Sequence, residues 1–358
     1  MKYKLLGTTG VQVSALCYGC LSFGGDADEA MSARMYRASR DAGINFFDTA
    51  DQYNKGRSEE ILGELARGHR EELVIATKSF NPTGEDVNAR GNSRRHIARA
   101  VERSLKRLQT DRVEILYLHQ QDPLAPLEES MRALEDLVRD GKVLYPALSN
   151  HAAWQTQLAL GVQERLGWAR LQALQPMYNL VKRQAEVEIL PMAAANSVAV
   201  VPYSPGAAGL LSGKYLEKQS GRLVTNKMYE ARYGEPWMHE VAAKFVAFCR
   251  SHGLHPVSTA VAWVAAHPAV TAPIIGARNA EQLQASLDSV KIEMSPALRA
   301  EIAVMGERPG HALELERMHV LQRDLHRRGI GNAPHVREHA GGAYLFREVL
   351  EVAVEHRK

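Results

Sequence analysis

A chain of 358 residues, 45% hydrophobic and 24% charged, carries ample material for a large core and has the composition of an ordinary globular protein. Its formal net charge of +3, without a long basic block, argues against nucleic acid or a membrane surface as partner. Three cysteines are too few for a secreted disulfide scaffold and fit a reducing, cytoplasmic setting, and the opening Met1-Lys2-Tyr3-Lys4-Leu5-Leu6-Gly7 lacks the apolar stretch of a signal peptide.

In chain order, residues 3–13 read as a small hairpin that turns at Gly7-Thr8-Thr9-Gly10. Strand-like runs then fall near 15–19, 45–48, 73–78, 114–119, 144–149, 172–178, 199–204 and 272–276. Helical patterns fill the intervals at 28–42, 58–67, 93–108, 127–140, 152–166, 185–196, 236–253 and 279–289. Asp28 or Ser32 can start the first helix and Gly43 can end it; Ser93 can start the third. Eight alternations without a linker predict an α/β fold, a (β/α)8 TIM barrel with an N-terminal β-hairpin, over residues 1–305. A C-terminal extension of unknown role, 306–358, follows. Its stretches 313–328 and 344–355 look helical. The segment 206–235, rich in Gly, Tyr and Arg, is long for a barrel turn and is expected to form a lid or pocket wall.

Four ionisable residues carry most of the functional signal. Asp48, Lys78 and His119 each end an apolar strand-like run, and Tyr53 lies in the loop after the first of these. In a parallel barrel such strand ends share one mouth. A tyrosine beside a lysine, a carboxylate and a histidine is a proton-delivery device.

Other patterns carry less. Cys17-Tyr18-Gly19-Cys20 is a C-x-x-C, but it lies within a strand-like run rather than at a helix start, so a packing role is expected. Gly209-Leu210-Leu211-Ser212-Gly213-Lys214 has the wrong glycine spacing for a phosphate loop, and no Gly-x-Gly-x-x-Gly follows a strand. The basic third helix, with no interleaved aromatics, reads as a solvated face rather than an RNA contact. His335 and His339 could share a helical face and bind metal, but Gly341-Gly342 beside them favour a packed or floppy tail, and no metal is expected. A metal-dependent hydrolase would need a His-x-His or carboxylate cluster at the strand ends, and the sequence has none there.

From residue 3 to about 305 the chain resembles the aldo-keto reductase family. Gly43-Ile44-Asn45-Phe46-Phe47-Asp48-Thr49-Ala50, Tyr53, Gly56-Arg57-Ser58-Glu59 and Leu62-Gly63 are similar to its first signature; Lys78 and His119 complete its tetrad. Gly141-Lys142-Val143 leading to Ser149-Asn150, the run Gln175-Pro176-Met177-Tyr178-Asn179, Tyr203-Ser204-Pro205, Gly209 to Gly213, and Ile275-Gly276-Ala277-Arg278 with Gln282 are similar as well. The pattern is nearer to bacterial reductases related to potassium-channel β subunits than to the aldose-reductase branch. The resemblance implies metal-free, reversible hydride transfer between NADP(H) and a carbonyl or alcohol. In that scheme Tyr53 supplies the proton, Lys78 stabilises phenolate, Asp48 holds Lys78 and His119 orients the carbonyl.

The same resemblance assigns cofactor contacts. Tyr203 would stack on the nicotinamide, Ser149, Asn150 and Gln175 would hold its carboxamide, and Gly19, Cys20 and Leu21 would approach its ribose. Arg278 would meet a 2′-phosphate and Gln282 the adenine side, where Ala285-Ser286 replaces the Glu-Asn of channel-subunit relatives. Asp48, Ser204, Pro205, Gly209, Leu210, Ser212, Lys214, Gly276 and Ser286 complete the set. Phe23, Asn54, Phe80 and Gln120, with Tyr229, Tyr233 and Trp237 of the insert, are the expected pocket walls. Aromatics mixed with amides favour a moderately large, partly oxygenated carbonyl substrate. A nucleotide-binding regulatory subunit with little turnover is the alternative, and oligomerisation is left open.

Overall fold

The computed structural model describes residues 1–217 and 221–306. The helical patterns at 313–328 and 344–355, and His335 with His339, lie outside the described residues.

Strands β1 (Tyr3–Leu5) and β2 (Gln12–Ser14) pair antiparallel as the expected hairpin. Eight parallel strands follow: β3 (Cys17–Gly19), β4 (Phe46–Asp48), β5 (Val74–Ser79), β6 (Val113–Leu118), β7 (Val143–Ser149), β8 (Ala173–Gln175), β9 (Ala199–Val200) and β10 (Ile274–Ile275). From β3 to β9 each pairs with the next in sequence, and β10 pairs with β3. Two backbone bonds, Thr271 N to Val200 O at 2.8 Å and Ile274 N to Pro202 O at 2.8 Å, join the β9 segment to the β10 segment and close the ring. The fold is a (β/α)8 barrel.

Strands buried on both faces sort their side chains by period two. Cys17, Phe46, Val74, Ala76, Ile115, Tyr117, Ala147, Ala173, Ala199, Val201 and Ala272 form one buried cluster inside the barrel. Tyr18, Phe47, Ile75, Leu116, Leu118, Leu148 and Leu174 face outward into a second, larger cluster shared with the helices. Leu6 and Val13 of the hairpin are fully buried in the inner cluster, so the hairpin plugs the end where the strands begin.

The helices start where the sequence places caps. Asp28 accepts from Met31 N ahead of Glu29–Asp41, and Ser93 accepts from His96 N ahead of Arg94–Leu108. Gly43, at φ 86°, ends the first helix. Gly63 lets Arg57–Ala66 approach Arg94–Leu108, since a Cβ there would lie 2.5 Å from Leu108 O. The basic third helix is also partly committed within the chain, with Arg107 paired to Glu59 at 2.6 Å and Arg94 to Asp136 at 2.7 Å.

Outside the insert, two helices escape the sequence reading. Pro256–Ala265 is buried from Ser258 through Val264, so it lacks the polar face that marks an amphipathic helix. Pro296–Ala303 buries only Ile302 and so shows no apolar stripe at all. Several predicted strands are shorter than expected, 15–19 and 272–276 among them, where only Cys17–Gly19 and Ile274–Ile275 are regular. Over 172–178 and 199–204 only Ala173–Gln175 and Ala199–Val200 are regular, because Pro176 and Pro202 supply no N–H to a ladder. The insert 206–235 holds short helical segments, among them Lys227–Tyr233. Among the described residues no helix is long and apolar enough to cross a membrane.

Glu114 at the start of β6 holds the lower barrel polar network together. It accepts two bonds from Arg70 Nη2, at 3.0 and 2.9 Å, and one from Ile75 N at 2.7 Å. Glu114→Ala would strand a mostly buried guanidinium and a buried amide, and is expected to cost about 3 kcal/mol of unfolding free energy, read from the urea midpoint.

Candidate functional site

The inward register, carried one step further along each strand, builds the site. Asp48 follows Phe46, Lys78 follows Val74 and Ala76, and His119 follows Ile115 and Tyr117. Ser149 follows Ala147, Gln175 follows Ala173, and Tyr203 follows Ala199 and Val201. Polar side chains therefore replace apolar ones at the strand C-termini while the inside-facing period is kept. Tyr53 joins them from a single turn, Tyr53–Gly56, in which Asn54 and Lys55 take left-handed φ values of 49° and 57°. Asn54 secures that turn by donating to the carbonyls of Leu21 and Phe23, at 2.9 and 2.7 Å.

Lys78 is the centre. Its Nζ donates to Asp48 Oδ1 at 2.5 Å, to Thr49 O at 2.6 Å and to the Tyr53 hydroxyl at 3.4 Å. The side chain is 0% exposed, and Asp48, at 3%, takes a further bond on Oδ2 from Gln175 Nε2 at 2.8 Å. Burial works against the Lys78 ammonium, but Asp48 and Tyr53 outweigh it and hold its pKa above the ordinary lysine range. The cation is therefore permanent.

Tyr53 shows a balance that differs from simple acidification. Burial raises its phenol pKa, Lys78 lowers it and Asp48 raises it again, and the net direction is upward. Lys78 acts on the phenol as expected, but its charge is partly compensated by Asp48. His119 lies across the mouth with its ring centroid 6.1 Å from that of Tyr53, edge-on. Asn81 Nδ2 is 3.2 Å from His119 Nδ1, and an amide nitrogen can only donate, so Nδ1 accepts and the ring proton sits on Nε2. Burial, reinforced by Lys78, pushes the imidazole down to about 3, so His119 is a neutral donor.

Sequence reasoning missed Asn81, which follows β5 in a loop without a motif. It also missed Asp51, 2% exposed, whose carboxyl burial and then Glu59 push up to about 7. An Asp between Ala50 and Gln52 in a loop carries no local sign of burial.

The expected cofactor residues divide by position. Ser149 Oγ donates to Gln175 O at 3.0 Å, Asn150 Nδ2 donates to His119 O at 2.9 Å and Tyr203 donates its hydroxyl proton to Asn150 Oδ1 at 2.8 Å. These form one mesh around the mouth. Asn150 and Ser204 hold left-handed backbones, φ 56° and 60°, a strain that clusters at functional sites. Gly19 is required by packing, since a Cβ there would lie 2.6 Å from Ile274 Cγ2. Cys20, Pro205, Leu210 and Ser286 are buried, while Leu21, Lys214, Gly276 and Gln282 are exposed. Gly209 gives its carbonyl to Ser212 Oγ at 2.7 Å. Arg278 Nε pairs with Asp26 at 3.1 Å, and Arg278 N donates to Gln282 Oε1 at 3.2 Å.

The pocket-wall residues divide too. Phe80, Gln120, Tyr229 and Trp237 retain exposed surface. Phe23 and Tyr233 are fully buried and correct the sequence reading: Phe23 packs on Tyr18 with centroids 5.6 Å apart, and the Tyr233 hydroxyl is engaged by Asn179 and Met177. Loop position alone did not reveal that both rings are drawn into the outer core. Cys17 and Cys20 are free, buried thiols whose pKa values burial raises, so the C-x-x-C is packing material.

The Aldo/keto reductase family profile matches residues 15–305. The chain belongs to the aldo/keto reductase family. It is 40% identical over 305 residues to an uncharacterized oxidoreductase of Bacillus subtilis, covering 82% of this chain and 92% of that one. A probable voltage-gated potassium channel subunit beta of Oryza sativa is 33% identical, with 84% and 94% covered. A versiconal hemiacetal acetate reductase of Aspergillus parasiticus is 30% identical, with 83% and 94% covered. Membership supports oxidoreduction of carbonyl compounds, and aldo/keto reductases generally use nicotinamide cofactors.

The depressed His119 pKa makes a stability prediction for this aldo/keto reductase. The unfolded chain takes up a proton at about pH 6.5, whereas the folded ring resists down to about 3. Its contribution is therefore complete above the unfolded value and is lost as pH falls toward the folded one. Urea unfolding of wild type and His119→Gln at pH 7.5 and pH 5 is expected to show a smaller acid-induced loss of stability in the variant.

Proposed function

We propose that the protein is an NADP(H)-dependent oxidoreductase that reduces a ketone or aldehyde to the alcohol, reversibly, with Tyr53 as proton donor. The reading rests on one observation above all: the Tyr53 hydroxyl, 3.4 Å from a buried ammonium, shares the barrel mouth with a neutral histidine whose protonated nitrogen is free of Asn81.

A bound nicotinamide cofactor supplies the hydride. The residues of the mouth suit such a group. Tyr203 offers a half-buried ring beside Asn150, and Gly276 is exposed with only Gly19 O, at 3.6 Å, near the place a Cβ would take. Arg278, at the start of the last βα unit, is a half-exposed guanidinium suited to a phosphate, with Asp26 as its partner until one binds.

His119 Nε2–H would donate to the substrate oxygen and fix its position, and it would stabilise negative charge as it develops there. Tyr53 would then release its proton to that oxygen. Its raised pKa is no obstacle, because an alkoxide is a far stronger base than a phenolate. Burial keeps the proton on Tyr53 until the alkoxide forms, and Lys78 stabilises the phenolate left behind. The oxidative direction must start from that phenolate, so reduction is the easier direction near neutral pH. The barrel, residues 1–305, carries these parts, and the reading is of a cytoplasmic enzyme acting on small molecules.

The likeness to a channel subunit beta favours a second reading, a nucleotide-binding regulatory subunit with little turnover. Stopped-flow oxidation of bound NADPH by a panel of ketones and aldehydes separates the two: consumption supports the enzyme, and inertness toward every carbonyl supports the regulatory role.

Tyr53→Phe is expected to keep NADPH binding and lose carbonyl reduction by a factor of about 100 or more in kcat, the usual worth of a positioned proton donor. Near-normal kcat would assign the proton to another group. Arg278→Ala is expected to raise the Kd for NADPH more than that for NADH in fluorescence titrations; equal weakening would remove Arg278 from the 2′-phosphate.

A further inference from the structure

The insert that follows β9 brings to the mouth a charge that the proposed reaction does not use. Its helix Lys227–Tyr233 is fastened to the strand ends by its last residue. Tyr233 is fully buried, and Asn179 Nδ2 donates both to the Tyr233 hydroxyl at 3.1 Å and to Ser204 O at 2.9 Å. Ser204 directly follows Tyr203, whose hydroxyl bonds Asn150 at the mouth. Arg232, the residue before Tyr233, is held beside the site by this anchor and is half-buried.

Two observations relate this guanidinium to the reacting groups. The charge of Arg232 is felt at His119, where it adds to burial and to Lys78 in keeping the imidazole neutral. Arg232 Cζ also lies over the Tyr229 ring, 5.9 Å from its centroid, and the Tyr229 phenol acts electrostatically on Tyr53. Arg232 and Tyr229 therefore stand next to the His119–Tyr53 pair. The two cations that act on His119 differ in one respect. Lys78 is committed to Asp48 at 2.5 Å, whereas Arg232 pairs with no carboxylate among the described residues. Glu230 and Glu235, close in sequence, are exposed and make no bridge to it.

A guanidinium over an aromatic face can still present its N–H edge, and that edge matches the two oxygens of a carboxylate. Half-buried, it has lost part of its hydration and gains from an anion delivered there. We propose that the preferred substrates are oxo acids, aldehydes or ketones that also bear a carboxylate, with Arg232 holding the carboxylate while His119 and Tyr53 take the carbonyl oxygen. The acid group passes through the reaction unchanged; only the carbonyl takes up hydride and the Tyr53 proton. A neutral carbonyl compound of the same size would leave the guanidinium to water. The inference rests on the oxidoreductase reading for the fate of the carbonyl and adds to it a substrate class.

Isothermal titration of the full-length protein with NADP+ present, which cannot supply hydride, measures the binding of para-carboxybenzaldehyde against its methyl ester. Adipic semialdehyde and its methyl ester test the same contact on a flexible chain, and NADPH absorbance gives kcat/KM for all four. In at least one pair the acid is expected to exceed the ester by about tenfold or more in affinity and in kcat/KM, the worth of a charge-assisted hydrogen bond. Arg232→Ala is expected to bring both ratios close to one. Arg232→Lys should restore part of them, as a point charge without the planar fork. Equal binding of acid and ester in both pairs would overturn the proposal, and NADPH consumption in the same samples would leave the oxidoreductase reading standing. Arg232-dependent binding of the acid without NADPH oxidation would keep the carboxylate contact and sink the oxidoreductase reading instead. An Arg232→Ala variant that retains the acid's advantage, or that weakens NADPH as much as the acid, would place the guanidinium elsewhere and overturn the proposal.

Discussion

A charged pair shut inside an apolar cylinder is the constraint around which this barrel is arranged. Lys78 and Asp48 are almost completely removed from solvent, and an unpaired charge in that position would cost several kcal/mol. The pair survives because every remaining valence is met. Thr49 O takes a second ammonium proton, Gln175 covers the other carboxylate oxygen and the Tyr53 hydroxyl completes the lysine's shell. Removing any one of these would leave the others facing a low-dielectric wall.

Under the proposed function, that arrangement also explains how a half-buried tyrosine can serve in proton transfer without being a strong acid. Burial holds the proton in place, and the partly compensated lysine limits the cost of losing it. Neutral His119 is built by the same logic, since an ammonium so near would repel an imidazolium. Asn81 then selects the tautomer. The mouth is thus a set of groups whose protonation states are fixed in advance by burial and by one permanent cation.

The barrel separates stability from chemistry along its axis. Its lower interior alternates bulky Phe46 and Tyr117 with Ala76, Ala147, Ala173 and Ala199, and the hairpin seals it with Leu6 and Val13. Its upper layer is polar.

The sequence by itself determined the barrel and the tetrad positions. Both are written in local order, as continuous apolar runs, three of which end in Asp48, Lys78 and His119, with caps such as Asp28 and Ser93 where helices begin. It could not show the helix at 256–265, whose apolar surface has no polar face to give a period. Tertiary structure alone decided which loop side chains sink and which stay at the mouth. Phe23 and Tyr233 went to the core, and the Asp51 carboxyl was buried as well. It also decided that Asn81 orients His119. Periodicity is a property of neighbours in the chain and survives in the sequence. Burial and hydrogen-bond partnership join residues as remote as Asp48 and Gln175, 127 positions apart, and appear only once the ring of strands has closed.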